Sequence, residues 1–159
     1  MPAGSTYTPI ATTTLGSAAG SYTFSSIPST YTDLVLIVNP KASVSNMGIR
    51  FNSDSGTNYS DTWVYGTGTS ALSTRTSNGN RIYQTITAGY VIMKVNIMNY
   101  ANTTTYKTTI SRTDDAANGV TAIVGNWRST SAINAITVLA GTGNLPAGTD
   151  LTLYGIASA

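Results

Sequence analysis

The sequence predicts an all-β fold of the sandwich or barrel type, on three observations. Apolar and β-branched residues recur in bursts of about four to nine, each closed by Gly, Pro, Asn, Asp or Ser, which is the pattern of short strands joined by turns. No segment combines a helical apolar period with a capping start, so any helix is at most a single turn. The polar surface is rich in threonine, which is typical of exposed strand faces.

The N-terminal segment, residues 6–15, is predicted to be an extended arm or an edge strand. Pro9 confines it to an edge, because proline cannot donate a backbone hydrogen bond to a second neighbouring strand. Three short features follow, a turn, a strand and a corner, at residues 16–20, 22–24 and 27–31.

The next strand, Asp33–Asn39, carries five consecutive apolar residues and is therefore apolar on both faces. A strand of this kind is buried on both sides, whereas the core of a single sandwich covers only one. We therefore expect a second subunit to cover the other face. The residues predicted to form this subunit interface are Leu34, Leu36 and Val38.

The middle of the chain mixes strands with polar segments. Residues 47–52 alternate as a strand, 52–61 form a polar turn, and 62–65 form a strand that carries Trp63. Residues 66–80 are predicted to be a loop able to hold a function, followed by a strand at 81–86.

The second half contains the clearest alternation, in residues 90–99, where four apolar side chains share one face. This segment is predicted to be a central core strand that forms a hairpin with residues 106–112 across the turn at 101–104. A tight turn is expected at Asn118-Gly119, since both residues tolerate positive φ. The remaining strands are predicted at 120–128, 135–139 and 151–156, which gives about ten in all.

The composition disfavours several classes of function. The chain has no His, Cys or Glu and only six Asp, so the usual acid/base groups, thiols and metal ligands are scarce. We therefore expect no enzyme activity, no cofactor and no metal site. The eight Lys and Arg are dispersed rather than clustered, which disfavours nucleic-acid binding. Without a side chain whose unperturbed pKa lies in that range, thermal stability should be flat between about pH 5 and 8.

The sequence also bears on location. The longest apolar run, residues 34–38, is far shorter than a membrane-spanning helix. The N-terminus has no basic start and no apolar core, so it does not resemble a secretory signal. We therefore expect synthesis in a cytoplasm and a single domain without a membrane segment. The two glycosylation sequons, at Asn58 and Asn102, are taken as chance matches for the same reason.

Two acidic features are candidate sites. The segment Asn52–Asp61 offers Asp54 and Asp61 as oxygen ligands for a hard cation, but it lacks the spacing of a helical calcium loop. The favoured interpretation is a turn that hydrogen-bonds its own backbone. The adjacent pair Asp114-Asp115 has no built-in convergence, because neighbouring residues on a strand point to opposite faces.

Aromatic residues near polar ones form a third candidate. A sugar-binding platform needs exposed aromatic faces. The candidate glycan contacts are Tyr59, Trp63 and Tyr65, and Trp127 is a fourth aromatic residue that could belong to the platform. The favoured alternative is that these aromatics pack in the core or at an interface.

Several segments in order carry a family resemblance. They are "SSIPSTYTDLVL", "IRFNSDSGTNYSDTW", "NYANTTTYKT", "NWRSTSAINAITV" and "LTLYGI", and they span residues 21–159. This pattern resembles a group of tailed-bacteriophage virion proteins found as head-decoration and tail-associated proteins. The resemblance implies a jelly-roll-like antiparallel β-sandwich, commonly trimeric, of about 8–10 strands, with no catalytic residues carried over.

Within that group the sequence favours a capsid decoration, or cement, protein that binds the major capsid protein of the same phage. The chain shows one compact domain, residues 21–159, after an N-terminal arm, residues 1–20, and no stalk or coiled-coil heptads. We expect the arm to be mobile in the free protein and to attach it to the capsid; the alternative is that the arm exchanges only between the subunits of the trimer. The arm residues predicted to make this contact are Tyr7, Ile10 and Leu15. The alternative is a tail-associated or receptor-binding protein that recognises glycans.

Overall fold

A computed structural model describes residues 6–42, 46–84, 91–115 and 119–157. Within these ranges the chain forms twelve β-strands and no helix. The strands are β1 (Tyr7–Thr14), β2 (Ser21–Phe24), β3 (Asp33–Asn39), β4 (Met47–Phe51), β5 (Tyr59–Gly66), β6 (Ala71–Gly79), β7 (Ile82–Gln84), β8 (Ile92–Met98), β9 (Lys107–Asp115), β10 (Gly119–Trp127), β11 (Ile136–Ala140) and β12 (Asp150–Ile156).

The strands form two antiparallel sheets that pack as a sandwich. The large sheet has the order β1-β12-β3-β8-β9-β10-β5-β6, and the small sheet has the order β2-β11-β4-β7. The pairs β5–β6, β4–β7 and β3–β8 are nested, and successive pairs alternate between the sheets. This is the winding of a long hairpin rolled into a jelly roll. The predicted all-β, jelly-roll-like sandwich is confirmed, with the predicted hairpin formed by β8 and β9, but the described residues form twelve strands rather than the predicted 8–10.

The core lies between the sheets and is mostly aliphatic. Strands β3, β8 and β12 line one half of it with alternate side chains, as a period of two requires. At the other half, β7 packs against β5, β9 and β10. Gly125 permits this approach, because a Cβ at that position would collide with Ile82 and Thr109.

The predicted subunit interface on strand β3 is wrong. The side chains of Leu34, Leu36 and Val38 are fully buried in the core of one chain, and Val35 on the other face is only 2% exposed. Neighbouring strands of the same large sheet flank β3 on both sides. The three predicted interface residues are therefore not available to a second subunit.

The prediction of a mobile N-terminal arm is wrong, because most of its described residues form strand β1. Residues Tyr7–Thr14 pair along their length with β12, so this segment is an edge strand of the large sheet. The edge placement inferred from Pro9 is confirmed, and the pairing register shifts between Pro9 and Ala11. Leu15 is buried in the core, and Ile10 packs against it. Of the three predicted attachment residues, Tyr7 alone is largely exposed.

The prediction of a loop at 66–80 is wrong, because most of this segment forms strand β6. Only the turn before it is irregular, and there the Thr67 hydroxyl accepts a hydrogen bond from the Ser70 amide at 3.0 Å. The strand is at the edge of the sheet with nearly every side chain exposed. Because neither face is buried against a core, no apolar alternation marks it in the sequence. Residues 85–86 of the strand predicted at 81–86, and Asn118 of the predicted tight turn, lie outside the described residues.

Candidate functional site

The segment from Asn52 to Asp61 is a hydrogen-bonded turn followed by the start of β5. The carboxylate of Asp54 accepts hydrogen bonds from the Gly56 amide at 2.8 Å, from Asn58 Nδ2 at 2.9 Å and from Trp127 Nε1 at 2.7 Å. The bond to Gly56 closes an Asx turn. The side chain of Asn52 binds the backbone of the 132–135 segment with both its amide atoms.

The electrostatics of Asp54 agree with a structural role. Burial acts to raise the pKa of the carboxyl, but the hydrogen bonds from Trp127, Asn58 and Gly56 together lower it below 3.8. Both carboxylate oxygens are already occupied by donors, and Asp61 is bonded elsewhere, to the Tyr83 amide at 3.2 Å. The turn interpretation is confirmed. Among the described residues, no group of three potential metal-ligating acids occurs.

The predicted glycan contacts divide into core and surface residues. Tyr59 is fully buried, its hydroxyl accepts a hydrogen bond from the Phe51 amide at 3.0 Å, and its ring stacks on Trp127 at 6.3 Å. Tyr59 and Trp127 are therefore packing residues, as the alternative interpretation expected. Trp63 and Tyr65 are half-buried on the inner side of β5.

Trp63 lines a cleft at the side of the sandwich. The large sheet extends beyond the small one at this end, so the inner faces of β5 and β6 form one wall and the edge strand β7 forms the other. We call it the side cleft. It has a volume of about 220 Å³, and its described lining residues are Asn46, Trp63, Thr74, Thr76, Tyr83 and Gln84.

Next to the side cleft, the core is polar rather than aliphatic. Gln84 is fully buried, and neither its Nε2 nor its Oε1 has a hydrogen-bond partner. One carboxylate oxygen of Asp61 and the hydroxyls of Thr109 and Ser111 are also buried without partners. Burial raises the pKa of Asp61, and the hydrogen bonds with the Tyr83 amide and the Thr76 side chain oppose part of that effect. Buried polar groups of this kind cost free energy unless water or a ligand satisfies them.

A second surface of interest is the outer face of the large sheet. Five apolar side chains there are 47–55% exposed: Val64, Ile92, Ile110, Val120 and Val124. We call this set the apolar outer face. Its members lie on adjacent strands, with Val124 directly opposite Ile110 and with Ala122 opposite Val64.

Basic side chains lie among and beside the members of the apolar outer face. Lys94 and Arg112 are cross-strand neighbours on β8 and β9, and Arg75 lies on β6 opposite Thr62. Two shallow grooves cross the face, of about 320 and 340 Å³; Lys94 and Arg112 line the first and Arg75 the second. The face therefore combines exposed apolar surface with positive charge.

The sequence reveals each of these two surfaces only in part. Residues 120–127 carry apolar side chains in both alternation phases, as residues 34–38 do, and this signal could have identified Val120 and Val124 as outward-facing. Thr74 and Thr76 were assigned to a loop, and Gln84 to a strand without a role. No local signal marks Gln84, because its neighbours in the side cleft come from β5 and β6.

Comparisons with known proteins leave the family open. Neither a scan of protein-family models nor a search of curated proteins finds a match to this chain. In the part of the chain that the structure describes, no helix is long and apolar enough to cross a membrane. The side chains of Asp114 and Asp115 lie outside the described residues.

Proposed function

We propose that this chain is a non-enzymatic structural protein of a tailed-phage virion, and that it is a capsid decoration protein attached through its apolar outer face. The observation that carries the proposal is the exposure of Val64, Ile92, Ile110, Val120 and Val124 on one sheet face. Several exposed apolar side chains on one sheet face are typical of a surface that binds a partner. From the resemblance of residues 21–159 to phage virion proteins we infer that this partner is another protein of the phage particle.

The charge around the patch favours the capsid over a second copy of the same face. If two copies met face to face about a two-fold axis, the basic side chains of Lys94 and Arg75 would be brought into one interface with those of the other copy. Like charges brought together in an interface cost free energy, whereas an acidic, partly apolar surface would complement the face. The proposed partner is the major capsid protein, and the proposed location is the capsid surface, after synthesis in the cytoplasm of the bacterial host.

The test is co-sedimentation with purified DNA-filled heads that lack tails. Val124→Asp should abolish binding while leaving the melting temperature within error, because the side chain is half-exposed. Ser17→Asp, which adds the same charge at an exposed loop position on another part of the surface, is the matched control and should bind normally. Unchanged binding of the Val124 variant, or wild-type protein that never sediments with heads, would contradict the proposal.

The second candidate is a tail-associated or receptor-binding virion protein that recognises glycans. The side cleft favours it, because Trp63 and Tyr83 bring aromatic surface next to the hydroxyls of Thr74 and Thr76. Sedimentation with isolated tails, and not with heads, is the result that would favour this candidate.

A further inference from the structure

We propose that the side cleft binds one neutral pyranose residue, either free or as the exposed unit of a polysaccharide. The inference deepens the second candidate function and rests on it. Attachment through the apolar outer face plays no part in it, because that surface lies on the opposite side of the large sheet.

The aromatic side chains give the cleft a surface on which a sugar ring can stack. Trp63 is half-buried, so one part of the indole is fixed by packing while another part faces the cleft. Tyr83 is 37% exposed, and the guanidinium of Arg81 lies 5.6 Å from the centre of its ring. The C–H-rich face of a pyranose complements the electron-rich face of an aromatic ring.

The polar groups supply what a sugar hydroxyl requires. Gln84 presents an amide donor and an amide acceptor, both buried and both without a partner. A hydroxyl group can donate and accept at once, so a ring with adjacent hydroxyls can satisfy both atoms of one amide. Thr74, on β6, places a further hydroxyl on the opposite wall, where the neighbouring Thr76 side chain is hydrogen-bonded to Asp61.

Charge and size narrow the ligand class. None of the described residues that line the cleft carries a charge, and the two charged side chains that contact Tyr83, Arg81 and Asp61, have opposite signs, which favours a neutral sugar over a phosphorylated or carboxylated one. The volume of about 220 Å³ lies below the roughly 300–1,000 Å³ of pockets that hold drug-sized ligands. A single ring therefore fits better than a longer chain, and the rest of a polysaccharide would extend into solvent.

Two-dimensional NMR tests the inference through the indole signals. The chain has two tryptophans, and Trp127 is buried away from the cleft, so the two signals can be assigned with a Trp63→Phe variant. Titration with neutral monosaccharides and with a neutral oligosaccharide, at millimolar concentration, should shift the Trp63 signal and leave the Trp127 signal in place. A shift with the oligosaccharide alone identifies a polymer end as the ligand.

Gln84→Leu separates binding from folding. It removes both unpartnered polar atoms, so the melting temperature of the free protein should stay the same or rise, while sugar affinity should fall about tenfold or more, which is the loss of roughly one good hydrogen bond. Thr74→Val, at an exposed position that cannot disturb the core, should weaken binding in the same direction.

Two outcomes would overturn the inference. One is a Trp63 signal that no sugar shifts, and the other is a shift that both the Gln84 and the Thr74 variants retain in full. The sedimentation assays with heads and with tails are independent of both outcomes. Failure of the sugar site can therefore be distinguished from failure of either proposed function.

Discussion

Asp61 lies between the two sheets with one carboxylate oxygen bonded to the Tyr83 amide and the other without a partner. Burial raises its pKa above the usual 3.8. The folded protein therefore holds this proton more tightly than the unfolded chain does. The stabilising contribution of the group is fully present below pH 3.8 and is lost as the pH rises through the raised pKa.

We expect Asp61→Asn to melt at a higher temperature than the wild type at pH 7, because the variant buries no charge and keeps an oxygen for the Tyr83 amide. The gain should be on the order of 1 kcal/mol, or roughly 2–4 °C for a chain of this size. The wild type should lose stability from about pH 4 upward, and the variant should not. The measurement is thermal unfolding across that pH range.

Asp54→Asn is the contrasting control. Its carboxylate accepts three hydrogen bonds, so its lowered pKa stabilises the fold above pH 3.8, and the variant should melt lower than the wild type at pH 7. A wild-type profile without slope above pH 4, or an Asp61 variant that melts lower at pH 7, would contradict the account of Asp61. Composition alone predicts a flat profile between about pH 5 and 8, whereas the raised pKa of Asp61 adds a slope above pH 3.8.

At the scale of elements, the two edges of the large sheet differ. Strand β1 carries Pro9 and an irregular register, two features that blunt an edge against further pairing. Strand β6 is nine residues long, contains no proline, and carries a single charge, on Arg75. The backbone groups on its outer side are open to another strand, which makes β6 the edge suited to contacts between subunits.

Removing residues 2–14 should destabilise the domain. The deletion takes away β1, uncovers the edge of β12, and removes Ile10 and Ala11 from their packing against the core. We expect a melting temperature lowered by several degrees, measured by circular dichroism. Thr12→Ala, which truncates an exposed side chain of the same strand, is the control and should melt normally.

An unchanged melting temperature after the deletion would show that β1 adds nothing to the sheet and would restore the predicted role of a separable arm. Any loss of capsid binding by the deletion variant has to be read against its stability, since a destabilised sheet also distorts the apolar outer face.

At the scale of the whole molecule, we expect a homotrimer in which β6, in place of the buried residues of β3, contacts a different surface of the next chain, since pairing of β6 with β6 would give a dimer. Light scattering at micromolar concentration should report three chains. Ser73→Lys adds a charged side chain to the exposed edge strand, which disfavours strand pairing between chains, and should yield monomers.

Thr23→Lys, on the edge strand of the small sheet, is the matched control and should leave the trimer intact. A wild-type protein that is a stable monomer would rule out the trimer, and a trimer that survives the Ser73 change would place the contact elsewhere.

The sequence by itself determined the fold class and most of the strands. Alternation in segments such as residues 92–98 and turn residues between them are local signals, because a strand with one buried face must repeat every two residues. It also determined the edge position of residues 6–15, since the missing amide hydrogen of Pro9 is a property of that residue alone.

Only the tertiary structure decided which partners those strands have. The flanking strands decide whether a side chain is buried or exposed. They place Leu34, Leu36 and Val38 in the core rather than at a second subunit, and they decide whether Tyr59 or Trp63 reaches the surface. The side cleft exists because eight strands oppose four, and the apolar outer face exists because β9 and β10 lie in the middle of the large sheet. Both are consequences of long-range pairing, which no local pattern specifies.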